Sequence, residues 1–157
     1  MNHEQSPSIL VRLLSIGFFL LFALAALAWY IFSMTNLTSA LLSGQSVVSF
    51  DKGSTYMLGA GIGGLLFVIG GVMQGLLRKR LTPKAESLFT KGLIFSLILM
   101  FVLPHITHYA VATYTQHKNY SVCRDASYRW LLYTKFYYAN TDTACKDLAE
   151  QKRYRRN

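Results

Sequence analysis

Thr55 to Leu77 reads TYMLGAGIGGLLFVIGGVMQGLL, and Arg78-Lys79-Arg80 follows it at once. The first part is uncharged and apolar on all sides, so as a helix it has no polar stripe to turn towards water. It is longer than the roughly 20 helical residues needed to cross a bilayer. The second part sets a direction, because Lys and Arg in short loops collect on the cytoplasmic side of a membrane. With Lys84 and Lys91, residues 78–91 read as a basic cytoplasmic loop, and the other segments are placed from it.

Two more apolar runs flank this pair. Leu13 to Ser33 (LLSIGFFLLFALAALAWYIFS) and Gly92 to Thr113 (GLIFSLILMFVLPHITHYAVAT) are each uncharged and long enough to span. The expected layout is a cytoplasmic N-terminus over 1–12, spans over 13–33, 55–77 and 92–113, an outer loop over 34–54 and an outer tail over 114–157. Trp29, Tyr30, Tyr56, Tyr109 and Tyr114 all fall at the outer ends, where an interfacial aromatic belt sits. Ala23-Leu24-Ala25 and Ala26-Leu27-Ala28 also read as signal-peptide cleavage sites. The apolar run continues past both through Phe32, which favours an uncleaved anchor. Lys152, Arg153, Arg155 and Arg156 make the far C-terminus basic, but they lie beyond the stretch next to a span over which the charge rule counts.

Composition agrees. Of 157 residues 52% are hydrophobic and 15% charged, against roughly 25% charged in a soluble domain. The net charge of +9 gathers in the basic loop and the C-terminal end. A nucleic-acid surface needs basic residues interleaved on one soluble face, so no nucleic-acid partner is expected.

The outer segments are less regular. Leu37 to Leu42 suggests a short interfacial turn and Val47 to Phe50 an extended stretch; Asn36-Leu37-Thr38 matches a glycosylation sequon only by composition. In the tail, Tyr128 to Tyr138 alternates, with Tyr128, Trp130, Leu132, Phe136 and Tyr138 on one face and Arg129 and Lys135 on the other. Period two with aromatics predicts a strand, with an amphipathic helix as the competing form. Asn140-Thr141-Asp142 supplies cap chemistry, and Thr143 to about Arg153 reads as a short helix. A tail of this size cannot bury a self-sufficient core. Cys123 and Cys145 bracket the aromatic stretch. In an oxidising compartment such a pair in a small domain bridges, and a loop of this length is restricted by roughly 3 kcal/mol in the chain-entropy model. Two free thiols are the alternative; a redox pair would need closer spacing.

Within the second span Gly59/Gly63 and Gly71/Gly75 form G-x-x-x-G pairs, and Gly64 lies a heptad from Gly71. Small residues at this spacing let membrane helices approach closely, either inside the chain's own bundle or at a homo- or hetero-oligomer seam. Pro104 removes a backbone donor from the third span. His105 and His108 share one helical face just beyond it, with His117 following. They suit packing, a partner contact or a protonation switch; no nearby carboxylate completes a metal site, and no metal or cofactor is expected. There is no G-x-S-x-G, no H-E-x-x-H and no pair of membrane carboxylates, so the chain is read as a non-enzyme.

Tyr120-Ser121-Val122-Cys123, then Trp130, Tyr133 and Lys135, then Cys145, set after a few apolar spans, resembles small bacterial inner-membrane proteins with a two-cysteine outer segment. Some of these are immunity partners encoded beside membrane-acting toxins. The resemblance implies a multi-pass protein of the bacterial inner membrane, N-terminus in and C-terminus out, that meets a protein partner. The expected fold is an all-α membrane protein: three transmembrane helices and a small disulfide-closed C-terminal segment in the periplasm. Arg129, Trp130, Tyr133, Lys135, Phe136 and Tyr137 are the expected contact residues, aromatics and Arg being common interface anchors. The alternative is an accessory subunit docked through the glycines of the second span.

Overall fold

A computed structural model describes residues 8–77, 81–131 and 133–154. Arg78-Lys79-Arg80, Leu132, Arg155 and Arg156 therefore lie outside the described residues. Three helices carry most of the chain: α1 (Ile9–Leu42), α2 (Lys52–Gly70), extended by a wider π-helical turn over Gly71–Leu76, and α3 (Pro83–His117). Each is long and apolar enough to cross a membrane, which makes this a multi-pass membrane protein. Around them lie the strands β1 (Val47–Asp51), β2 (Ser121–Val122), β3 (Tyr128–Trp130) and β4 (Tyr133–Ala139), and the short helix α4 (Asp142–Tyr154). The three apolar helices and the disulfide-closed C-terminal segment stand as expected, with one addition, a small antiparallel sheet.

Local chemistry marks the helix ends. The Ser8 and Thr82 hydroxyls accept bonds from the Val11 and Ala85 N–H groups, and Pro83 starts α3 where its missing donor costs nothing. α3 stops at Asn119, whose φ of 60° suits an Asn, while the Tyr120 N–H returns to the Thr115 carbonyl at 2.9 Å. At the other end of the bundle the Arg12 guanidinium donates to the Gly75 carbonyl at 2.9 Å, satisfying one of the acceptors left open where α2 and its π turn finish.

α2 lies between α1 and α3, and its glycines decide how near they come. A Cβ on Gly59 would stand 2.6 Å from the Ser96 carbonyl oxygen and the Met100 nitrogen, so the α2 and α3 backbones meet there. Gly61 and Gly64 face Leu27 and Ala23 of α1 in the same way. Both G-x-x-x-G pairs thus begin inside the chain's own bundle, whereas Gly75 has open space around it.

The same pairs fix the helices' relative heights. Seven residues back from Gly59 is Lys52, and seven on from Ser96 and Met100 are Leu103 and Thr107. A like count from Gly61, Ala23 and Leu27 sets Lys52 level with Phe32 to Asn36 of α1. α1 and α3 therefore rise several turns beyond the start of α2, and the sheet fills the recess between them. The expected turn at Leu37 to Leu42 is instead the last stretch of α1, because its apolar side has the sheet to bury against. Leu37, Ala40, Val48, Phe50 and Tyr138 form this second core, with Met34, Val111 and Phe136 packed on it. Burying each large apolar side chain there stabilises by roughly 1.5–3 kcal/mol.

β4 is the sheet's axis. β1 pairs along one edge, Phe50 opposite Phe136 and Val48 opposite Tyr138. β2 and β3 pair along the other, Val122 opposite Tyr138 and Trp130 opposite Tyr133. Residues 128–138 are thus a hairpin and not one strand. Its tip at Leu131 shifts the alternation, so Trp130 shares a face with Tyr133 and Lys135, while Phe136 and Tyr138 point the other way, to the bundle. Period-two counting fails across a tight turn because the chain reverses without preserving parity.

Candidate interaction surface

Three devices hold the extramembrane segment. Cys123 and Cys145 are bridged, with Cα atoms 5.6 Å apart. Cys123 is 2% exposed, and its N–H donates to the Tyr137 carbonyl at 2.8 Å, so the staple is anchored to β4 itself. Between β2 and β3 the ladder breaks, and the Ser127 hydroxyl fills the gap by accepting the Tyr137 N–H at 3.2 Å. Lys152 closes the far end of α4: its ammonium stands 3.3 Å from the Tyr137 ring centroid and donates to the Ala126 carbonyl. A cation held between a π face and a carbonyl is well placed in both respects. This role for a C-terminal lysine was not read from the sequence, where it counted only as charge.

The sheet sorts the expected contact residues between its two faces. Trp130, Tyr133, Lys135 and Tyr137 share the face opposite the one that carries Phe136 and Tyr138, by their pairing with one another and with β1. α4 covers the Tyr137 end of that face; at the other end Trp130 remains 64% exposed. Arg129 and Phe136 lie on the opposite face. The Phe136 ring stacks on His108 at 4.6 Å and belongs to the second core. His105 is exposed, while His108 is half-buried against Phe136 and Phe50. Among the described residues no three His, Cys, Asp or Glu side chains gather as a metal site.

Asp51 joins sheet to helix. Its carboxylate accepts the Ser54 N–H at the start of α2 and the Tyr133 hydroxyl at 3.3 Å. Burial, reinforced by that carboxylate, pushes the Tyr133 phenol up to about 12. Burial alone raises Tyr138, whose hydroxyl has no partner among the described residues. The Tyr133 ring lies over Gly53, where a side chain would strike it. No loop separates β1 from α2, so the sheet meets the membrane end of α2 at a fixed angle.

Beside this junction is a cleft of about 530 Å³, whose lining includes Lys52, Arg124, Arg129, Tyr56, Leu131 and Phe136. Lys52 and Arg124 were not singled out in the sequence. Lys52 is nonetheless the cation set directly before an apolar span, which is a usable signal. A second, apolar groove of about 300 Å³ runs over Gly59, Gly63 and Gly64 of α2, between Phe19 of α1 and Met100 of α3.

No curated protein and no solved structure matches the chain. A family model matches residues 48–146, from the strand that pairs with β4 to the residue after the second cysteine. That interval contains the parts shown above to depend on one another: β1, the glycine-faced α2, α3, the hairpin and both halves of the staple. This chain accordingly belongs to the family described as protein of unknown function (DUF1240).

Proposed function

We propose that this chain is a non-enzymatic interaction protein of the bacterial inner membrane, an immunity protein that guards the membrane against a pore-forming or other membrane-targeting effector. The observation that carries it is the stapled sheet fixed to the helix ends with Trp130 left open at its lower corner. A domain whose interior is spent on packing, and whose exposed corner presents an aromatic beside Tyr133 and Lys135, has the composition of an interface anchor. Its position at the start of a membrane span would meet an effector as that effector enters the bilayer. The basic segment 78–91 supports an N-in, C-out arrangement with this domain in the periplasm.

The test is genetic. Cells deleted for the protein are challenged with each effector encoded nearby, then complemented with wild type or Trp130→Ala/Lys135→Ala. Protection by wild type and its loss in the double variant, at equal membrane levels, is the expected result. Equal survival with and without the protein ends the reading.

A second reading is an accessory subunit of a larger membrane complex, or a homo-oligomer, joined through α2. The open space where a Gly75 side chain would stand favours it, since Arg12 reaches the carbonyl of that glycine and leaves its Cα side bare. Gly75→Leu would block such a seam and its Cβ meets nothing within 4 Å, whereas Gly63 and Gly71 already face Ser96 and Ile16. Loss of co-purifying partners in Gly75→Leu, with protection irrelevant, would favour this reading.

A further inference from the structure

We propose that the cleft between the β3–β4 hairpin and the first turn of α2 binds the phosphate headgroup of an anionic bilayer lipid. Three cations from separate parts of the chain, Lys52, Arg124 and Arg129, line one concavity of about 530 Å³ with Tyr56, Leu131 and Phe136. Among the described residues no carboxylate lines it. The acid beside Lys52 is Asp51, and both its oxygens are engaged by Ser54 and Tyr133. Such a set suits an anion carried on an apolar body: the cations meet the phosphate and the rings and leucine meet what is attached to it.

Position identifies the anion's source. β1 runs directly into α2, whose apolar length begins at Lys52, so the edge of the sheet at Asp51 stands where water gives way to lipid. β4 is antiparallel to β1 with Lys135 opposite Asp51. The hairpin therefore points its tip past that edge and alongside α2, and Leu131 and Tyr56 share the cleft. Leu131 is 78% exposed, in a left-handed conformation (φ 49°) at a turn where Asn or Gly fits better. An exposed leucine held in an unfavourable backbone state at the bilayer surface is accounted for if lipid covers it. Arg129, by sheet parity, belongs to this cleft and not to the Trp130 face, so lipid binding and partner binding use opposite sides of one hairpin.

The full chain, purified in detergent and stripped of lipid, is offered phosphatidylglycerol and phosphatidylcholine, and bound lipid is counted by native mass spectrometry. Phosphatidylglycerol should be retained in preference. Lys52→Gln, Arg124→Gln and Arg129→Gln should each lower its retention about fivefold, leave phosphatidylcholine unchanged, and Arg129→Lys should restore most of it. An unchanged near-UV dichroism melt in every variant shows that the domain is folded. Equal retention of both lipids overturns the proposal. So does a preference untouched by the three substitutions, which would move the site to the basic segment 78–91. If glycerol 1-phosphate in solution displaces the lipid at equal concentration, the cleft is a soluble-anion site and the membrane assignment fails.

Discussion

At the scale of single residues, two side chains give up stability or titrate for identifiable reasons. Leu131 sits at φ 49° with its side chain exposed; a left-handed L-residue costs roughly 1–2 kcal/mol. Leu131→Asn should therefore stabilise the domain by about 1 kcal/mol, seen as a higher midpoint in the near-UV dichroism melt of the purified chain. No rise would mean that the leucine's packing outweighs its backbone. Tyr133 works through its proton. Its folded-state phenol is raised to about 12 from the ordinary value of 10.0. The folded form thus holds a proton that the unfolded form releases between those values. The contribution is complete below pH 10 and is lost as pH rises through 12. Wild type should lose midpoint temperature over that window more steeply than Tyr133→Phe, and parallel curves would remove Asp51 and burial as the cause.

At the scale of elements, what was legible depended on the range of the interaction. The apolar runs announced three helices because lipid requires every backbone group to be satisfied within the span. Asn140 to Asp142 announced α4 because capping is local. The sheet was legible only in pieces. Val47 to Phe50 and Tyr128 to Tyr138 each looked extended, but nothing local says that β1 pairs with β4 across two membrane helices. The hairpin was missed because Leu131 lacks the turn chemistry that marks one, and with it the division of Arg129 and Phe136 from Trp130. Glycine spacing pointed to close helix contact without saying which glycines carried it. That is now testable. Gly59→Ala drives a methyl into the α3 backbone at Ser96 and Met100, where overpacking costs roughly 1–3 kcal/mol. Gly75→Ala meets nothing. Thermal unfolding in detergent should fall for the first and hold for the second, and equal effects would mean that α2 and α3 can separate at little cost.

At the scale of the whole molecule, the sheet converts three helices of unequal height into one body. α2 is short, α1 and α3 stand above its start, and the recess between them receives Val48, Phe50 and Tyr138. The membrane domain and the stapled domain therefore share a core, and the staple's chemistry becomes evidence about orientation. A Cys123–Cys145 bridge persists where the compartment is oxidising, and the basic segment 78–91 belongs on the opposite side if the N-in, C-out arrangement holds. Both requirements meet in one experiment. Alkaline phosphatase, active only outside the inner membrane, is fused after Tyr154 and, separately, after Leu81. The first fusion should be active and the second silent. In cells lacking the periplasmic disulfide catalyst, Cys123 and Cys145 of the unfused chain should become open to maleimide while a protease added to spheroplasts still reaches the tail, since topology is set by charge and the bridge by oxidant. A silent first fusion would put the cysteines in a reducing compartment. It would then remove the periplasmic reading and the immunity proposal together, while leaving the sheet and its packing on the helix ends intact.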